Sequence, residues 1–383
     1  MKILFITNYP SPYRVDFFNY WGQLPNVKLT VLFLERPENQ KHRSSKWFHT
    51  EFSYFDAVFL HDKISIGNHV IYKDIFHWLQ RKYDGIIFGG YTAPTYMIAM
   101  EYLQLHHIPY GIEIDGGLIK KDSFLRLAIK KHFLSSADFW FSSGKQASKY
   151  LAYYGADTDK IISYPFTSMT KENMDRALNT ITTCNNNETN WCKKREECRQ
   201  KAREFLNIKE PIMSLTIGQF IKRKGFDLLI DLLPRLDRTV GYYFIGGRPT
   251  PEIEKFIEDY SLDNVHIIDF KTPEELSVYF RAANLFVLPT RYDIWGLVIG
   301  EAMAYGLPVV TTDLCGAGLE LVEEGKNGVL CHAGDQASLK SALDKIMKLD
   351  LNHLGFESYK RIQNYTIENM VLVHYDYFKS KGV

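Results

Sequence analysis

Residues 283–312, ANLFVLPTRYDIWGLVIGEAMAYGLPVVTT, constrain the fold of this chain more than any other stretch. Leu285 to Leu288 form an apolar run closed by Pro289 and Thr290, which reads as a buried parallel strand. A polar loop follows, in which Asp293 is placed to cap the next element and Gly296 to relieve crowding at its start. Leu297 through Tyr305 carry helix formers, Gly306 and Pro308 are stop signals, and Val309 and Val310 open another buried strand.

A strand, loop and helix in this order put free backbone N–H groups and the positive end of a helix dipole at the mouth of a parallel sheet, where phosphates bind. Glu301 lies five residues beyond Gly296, about 7.5 Å along a helix. From there its carboxylate reaches ribose hydroxyls while a phosphate sits at the helix start. Asp293 and Glu301 are thus two acids flanking one N-terminus. Acids repel phosphate, so this placement suits a diphosphate with hydroxyl-rich groups on either side, the pattern of a nucleotide sugar.

The segment DIWGLVIGEAMAYGLPVV resembles the signature of retaining glycosyltransferases of family 4, in which two acids separated by seven residues precede an EAM(A/C)xGxP run. The first acid here is Asp293 rather than the commoner Glu. The resemblance implies an α/β chain of the GT-B type, with two Rossmann-like, doubly wound parallel-sheet domains facing across a cleft. It also implies that Glu301 holds the donor ribose, Asp293 a sugar hydroxyl, and the backbone of Gly296, Leu297 and Val298 the sugar and diphosphate.

A chain of 383 residues with 45% hydrophobic content fits two domains of ordinary size. Net charge is only +1, which gives no case for nucleic acid. The charge is unevenly spread, with +4 over residues 1–165 and −3 over the remainder. No run approaches the roughly 18 apolar residues of a transmembrane helix, and MKILFITNYP reads as a first strand rather than a signal peptide. The five cysteines are odd in number, and Cys184, Cys192 and Cys198 lack the close pairing of a zinc site. A reducing cytoplasm is expected.

In chain order, strands are expected at 3–6, 29–34, 54–60, 85–88, 108–114 and 139–142, with helices at 15–24, 71–82, 95–106 and 143–154. The first loop lacks the GxGxxG of a dinucleotide fold. Tyr13 and Arg14 are its chemically useful members, Arg14 as a bidentate phosphate clamp or as a solvated surface residue. Residues 36–50 read as a mobile loop over an acceptor site. GIEIDGG places Glu113 and Asp115 two apart, on one face of a strand at the carboxyl end where ligands gather. Gly116 and Gly117 there let substrate approach the backbone. The two acids read as orienting groups, as a base, or, for Asp115, as a turn former.

Residues 118–134 combine an apolar stripe of Phe124, Leu127, Ala128, Phe133 and Leu134 with Lys120, Lys121, Arg126, Lys130, Lys131 and His132. That pattern fits a helix lying on an anionic membrane or one that covers a sheet with its charges in water. Residues 167–195 are polar, with TTCNNNETN at the centre, and lead into a charged helix at about 191–206. The expected division is an N-terminal acceptor-side domain at 1–166, a linker and helix at 167–207, and a nucleotide-sugar domain at 208–364. A C-terminal helix at about 365–383 is expected to pack back on the first domain.

The second domain opens with the strand 213–217, then GQFIKRKGFDLLIDLL, where Gly218 turns the chain and Lys222, Arg223 and Lys224 precede a helix start. Cations at a helix N-terminus make a second phosphate clamp. The run resembles the family's GRxxxxKG element with Lys224 at the Lys position, although Gln219 stands where Arg is usual. By the same resemblance Phe270 and Lys271 hold the base through main-chain atoms, with uracil favoured by family frequency. Thr272 and Glu275 form a capping box.

These readings converge on transfer of a sugar from a nucleotide donor to a hydroxyl, and the resemblance implies retained configuration and a glycan or lipid-linked acceptor. The acceptor-side residues are Tyr13, Arg14, Gly116 and Gly117, and the candidate catalytic groups are Glu113, Asp115, Lys224 and Asp293. No cofactor and no metal are expected, and the location expected is the cytoplasm or the inner face of the membrane. A 2-epimerase acting on the donor alone and a non-catalytic nucleotide-sugar-binding partner remain as alternatives.

Overall fold

The computed structural model describes residues 1–36, 51–67, 69–177 and 187–382. The expected loop at 36–50, apart from Arg36, and residues 178–186 of the polar stretch lie outside the described residues. The chain divides into two compact units, one formed by Met1–Thr167 with Thr366–Val383 and the other by Ser168–Tyr365.

The first unit is a seven-stranded parallel sheet built from β1 (Lys2–Thr7), β2 (Lys28–Phe33), β3 (Asp56–Phe59), β6 (Gly85–Phe88), β7 (Gly111–Ile114), β8 (Phe139–Ser142) and β9 (Ile161–Ser163). A small antiparallel hairpin of β4 (Lys63–Ile66) and β5 (His69–Tyr72) stands apart from it. The sheet runs β3-β2-β1-β6-β7-β8-β9, so the strand order reverses between β1 and β6. Ile3 lies opposite Gly85 and Ile6 opposite Phe88 in that central pair. Ile3, Leu4, Phe5 and Ile6 are wholly buried, as a central strand covered on both faces requires. The last helix, Ile367–Ser380, belongs to this unit and lies against the Pro12–Gly22 helix, where Trp21 stacks on Phe378 at 6.3 Å.

The second unit holds a six-stranded parallel sheet of β10 (Ile212–Ile217), β11 (Val240–Ile245), β12 (Val265–Ile268), β13 (Leu285–Leu288), β14 (Val309–Thr312) and β15 (Gly328–Cys331). Its order, β12-β11-β10-β13-β14-β15, reverses between β10 and β13. In open α/β sheets ligands gather outside the carboxyl ends of the strands at such a reversal. The loops after β10 and β13 therefore decide what this unit can bind.

Local chemistry sets the helices. Thr272 and Glu275 cap the Pro273–Ala282 helix reciprocally. Its other end is closed by a guanidinium: buried Arg195, on the Glu188–Leu206 helix, donates to the carbonyls of Phe280, Arg281 and Ala283 at 2.7–3.2 Å. The expected C-terminal helix runs over Ile367–Ser380, where Thr366 caps the Asn369 N–H, and a separate helix, Leu351–Ile362, precedes it. Gly316–Leu321 is a short helix whose first three residues, Gly316, Ala317 and Gly318, are buried. Among the described residues no helix is long and apolar enough to cross a membrane.

Candidate functional site

In the second unit the loops after β10 and β13 meet at the reversal of strand order. The loop after β13 ends at Gly296, which adopts φ +95, and a Cβ there would stand 2.9 Å from Cys315 Sγ. An L side chain is thus excluded on both conformational and steric grounds. The Leu297–Ala304 helix starts at this point without a side-chain cap. Its first N–H groups have no carbonyl of their own helix to bond. The expectation that Asp293 caps this helix is corrected: its backbone is tied to the Leu314 carbonyl and the Gly316 N–H at 2.9 and 3.1 Å, and its carboxylate turns elsewhere.

That carboxylate meets the loop after β10. Lys224 Nζ donates to Asp293 Oδ2 at 2.6 Å, and Arg223 Nη1 lies 3.0 Å from the same oxygen. Lys222–Lys224 form one 3₁₀ turn closed by Gly225. Gly225 has φ +71, and a Cβ there would fall 2.0 Å from the Pro289 carbonyl oxygen. The Arg223 carbonyl accepts from the Arg291 N–H at 2.8 Å and from Thr290 Oγ1 at 2.9 Å. The cationic turn is therefore fastened to the β13 loop through the Arg223 backbone carbonyl, by bonds that do not depend on the charges. Lys224 passes over Gly218, where an added Cβ would lie 3.5 Å from its Cδ and Cε. Gln219 is exposed, and its carbonyl accepts from the Ile221 N–H.

Glu301 is half-buried on the Leu297–Ala304 helix and accepts from Ser168 Oγ at 2.7 Å. Burial raises its pKa against the opposing pulls of the Ser168 hydroxyl and Lys224. A carboxylate short of hydration gains from further hydroxyl donors. Leu297 and Val298 are half-buried at the helix start. Phe270 and Lys271 follow β12 at the sheet's edge; Phe270 is exposed, its N–H bonds Asp269, and Lys271 Nζ lies 3.2 Å from Glu275. Ser168 had no sequence signal, because its partner is 133 positions away.

The first unit gathers a second charged cluster. Arg14, on the Pro12–Gly22 helix after β1, donates to both Glu113 and Asp115 at the end of β7. Arg14 is only 5% exposed, so it is a structural counter-ion to the two acids rather than an open phosphate clamp. Tyr164 donates to Glu113 at 3.0 Å and to Asp115 at 3.3 Å. His374, from the last helix, sets Nε2 2.9 Å from Glu113 Oε2 and Nδ1 2.7 Å from the Met370 carbonyl.

Burial alone would raise the Glu113 carboxyl, but Arg14 and His374 outweigh it and bring the pKa down to about 2. Asp115 is raised, because burial and the neighbouring Glu113 charge outweigh Arg14. Glu113 is wholly buried, whereas the Asp115 side chain is 33% exposed and sits 3.5 Å from the Tyr13 hydroxyl. Asp115 is thus the acid of the pair with access to solvent. Gly116 is half-buried beside it, with φ +143. Gly117 packs against the Tyr150 ring, 2.5 Å from where its Cβ would be, so its small size serves packing. Among the described residues no group of three or more His, Cys, Asp or Glu side chains is placed to hold a metal.

Residues 197–369 match the family model of the glycosyl transferases group 1. Over 136 residues the chain is 32% identical to an uncharacterized glycosyltransferase of Methanocaldococcus jannaschii, covering 35% of this chain and 37% of that protein. It is 31% identical over 159 residues to the amylovoran biosynthesis glycosyltransferase AmsK of Erwinia amylovora, covering 39% and 38%. These matches span well under half the length of the curated relatives. The whole fold resembles sucrose-phosphate synthase from Thermosynechococcus elongatus, with TM-score 0.71 and 18% identity over 100% of this chain and 99% of that one. It also resembles Anabaena HepE in complex with UDP, with TM-score 0.75 and 15% identity over 99% and 100%. The architecture is therefore α/β of the GT-B type, with parallel sheets of seven and six strands.

Proposed function

We propose that the chain is a retaining glycosyltransferase that moves a sugar from a UDP-sugar to a hydroxyl of a glycan or lipid-linked acceptor in surface polysaccharide synthesis. The observation that carries this reading is the group at the reversal of the second sheet. Lys224 and Arg223 are fastened beside the start of the Leu297–Ala304 helix, with Asp293 between them and Glu301 further along. A diphosphate takes the helix N–H groups and the two cations, Glu301 accepts from the ribose hydroxyls, and Asp293 orients a sugar hydroxyl. The match over 197–369 supports the donor class, and the UDP held by a structural relative supports the choice of nucleotide.

In the transfer, the bond from the anomeric carbon to the diphosphate oxygen breaks and the acceptor oxygen bonds that carbon. The acceptor proton passes to the departing phosphate, so no protein base is needed and configuration is retained. Lys224, Arg223 and the helix start stabilise the charge that develops on the leaving group, which lets the reaction proceed without a resident metal. On the acceptor side Asp115 orients the hydroxyl, and Glu113 holds Arg14 in place.

The test is turnover of UDP-sugars on Glu301→Ala and Lys224→Ala, with the product anomer read by NMR. Each substitution is expected to cut the rate at least tenfold, about 1.4 kcal/mol of lost transition-state stabilisation. Near-normal rates in both variants would remove the site from these residues, and an inverted anomer would remove retention.

A further inference from the structure

The Phe124–Ser135 helix of the first unit has two apolar faces where a sheet-covering helix needs one. On its inner side Phe133 and Leu134 are buried, Leu127 packs on the core, and Lys130 turns in to Asp122 and the Tyr154 hydroxyl. Its outer side exposes Phe124 by 89%, Leu125 by 68% and Ile129 by 39%, with Ala128 exposed between them. At roughly 100° per residue these four form one stripe, nearly opposite Leu127, Lys130 and Leu134. Water on both sides of such a stripe is costly, and large contiguous apolar patches mark interaction sites.

The patch extends to a second helix. His132, within the same stripe, bonds Glu101 at 2.6 Å on the Pro94–Leu105 helix. Ile98 and Leu105, three and four positions from Glu101, share its helix face and are exposed, Leu105 by 77%. The borders are basic: Lys121, Arg126 and Lys131 are exposed along the segment, while its one acid, Asp122, is engaged by Lys130 and Tyr154. An apolar stripe bordered by cations complements a surface with anionic headgroups over an acyl interior. A second copy of this face would bring like charges together.

We propose that this face docks on an anionic phospholipid bilayer, with Phe124, Leu125 and Ile129 entering the acyl boundary and Lys121, Arg126 and Lys131 lying among the headgroups. The inference stands apart from the transfer reading, since binding to vesicles needs no donor or acceptor.

The experiment is sedimentation of the full chain with vesicles of phosphatidylcholine alone or mixed equally with phosphatidylglycerol. The unaltered chain is expected to sediment with the mixed vesicles, and less with the neutral ones. A Phe124→Ser, Leu125→Ser variant removes two side chains from the acyl region and is expected to lower partitioning roughly tenfold or more. An Arg126→Glu, Lys131→Glu variant is expected to lose the preference for anionic vesicles. All four side chains are exposed, so an unchanged melting temperature confirms that the variants fold. Failure of the unaltered chain to sediment, or equal sedimentation of the serine variant, overturns the proposal. So does a dimer in gel filtration that the serine pair dissociates, which would assign the face to a second copy.

Discussion

Replacing Arg14 with Met isolates the charge balance inside the first unit. The guanidinium is buried, bonded to two carboxylates, and lies 5.5–5.8 Å from the centres of the Phe166 and Phe17 rings. Breaking a buried ion pair by deleting one partner costs about 3–5 kcal/mol. Glu113 keeps His374 and Tyr164 as partners, so the expected loss is near the lower limit, about 3 kcal/mol. For a unit of this size that is a fall of roughly 6–12 °C in melting temperature.

The acid side of the stability profile gives a second readout. Glu113 ionises well below its ordinary 4.5, at about 2, so its contribution is fully present above pH 4.5 and is lost as pH falls from 4.5 toward 2. A displacement of that size amounts to about 3 kcal/mol, and Arg14→Met should remove much of it. The raised Asp115 works in the opposite sense. Guanidinium unfolding at a series of pH values, with Arg14→Met, Glu113→Leu and the double variant, measures both effects. The double variant should be more stable than the sum of the singles implies, because it leaves less uncompensated charge. An Arg14→Met loss below about 1 kcal/mol, or strictly additive singles, would refute the assignment of a buried, coupled pair.

Three further outcomes follow from single contacts. Gly225→Ala meets both a clash with the Pro289 carbonyl and a positive φ, so it should displace Lys224 and abolish any thermal shift produced by UDP; an undiminished shift would show that the turn does not position the lysine. His374→Gln can keep one donor on Glu113, whereas His374→Phe leaves that carboxylate oxygen short of a partner. The melting temperature should fall in the order His, Gln, Phe, with Phe costing about 1–3 kcal/mol. Asp16 is raised to about 6, first by burial and then by Glu368. Its folded state favours the proton, so its unfavourable contribution grows as pH rises from 3.8 through 6. Asp16→Asn should therefore stabilise the chain by about 1–2 kcal/mol at pH 7.5 and have little effect at pH 4; equal effects at the two pH values would exclude a titrating Asp16.

What the sequence disclosed depended on whether a structural requirement is local. Buried parallel strands such as β13 appear as unbroken apolar runs, and the bond pattern of Thr272 with Glu275 spans three residues. Gly296 and Gly225 mark backbone that no L side chain tolerates. Such features are written where they act. Lys224 and Asp293 were each legible as candidates, but their pairing spans 69 positions and follows from the order of β10 and β13, which no local pattern states. The hairpin of β4 and β5 was missed because each strand is only four residues long and the apolar Ile71 and Tyr72 of β5 were read into the helix expected at 71–82.

The acids of β7 show how this difference reaches function. A spacing of two puts Glu113 and Asp115 on one face and makes them look equivalent. Arg14 and Tyr164 serve both, but only Glu113 receives His374, 261 positions along the chain, and only Asp115 keeps a third of its side chain exposed. The more deeply buried acid is held ionised by its partners Arg14 and His374 and so is poorly suited to accept a proton near neutral pH; the other, raised and part-exposed, is the one we propose for the acceptor hydroxyl. Asp115→Asn should therefore raise the acceptor KM or lower kcat with little change in melting temperature, whereas Glu113→Gln should lower melting temperature first. The reverse pattern would exchange their roles.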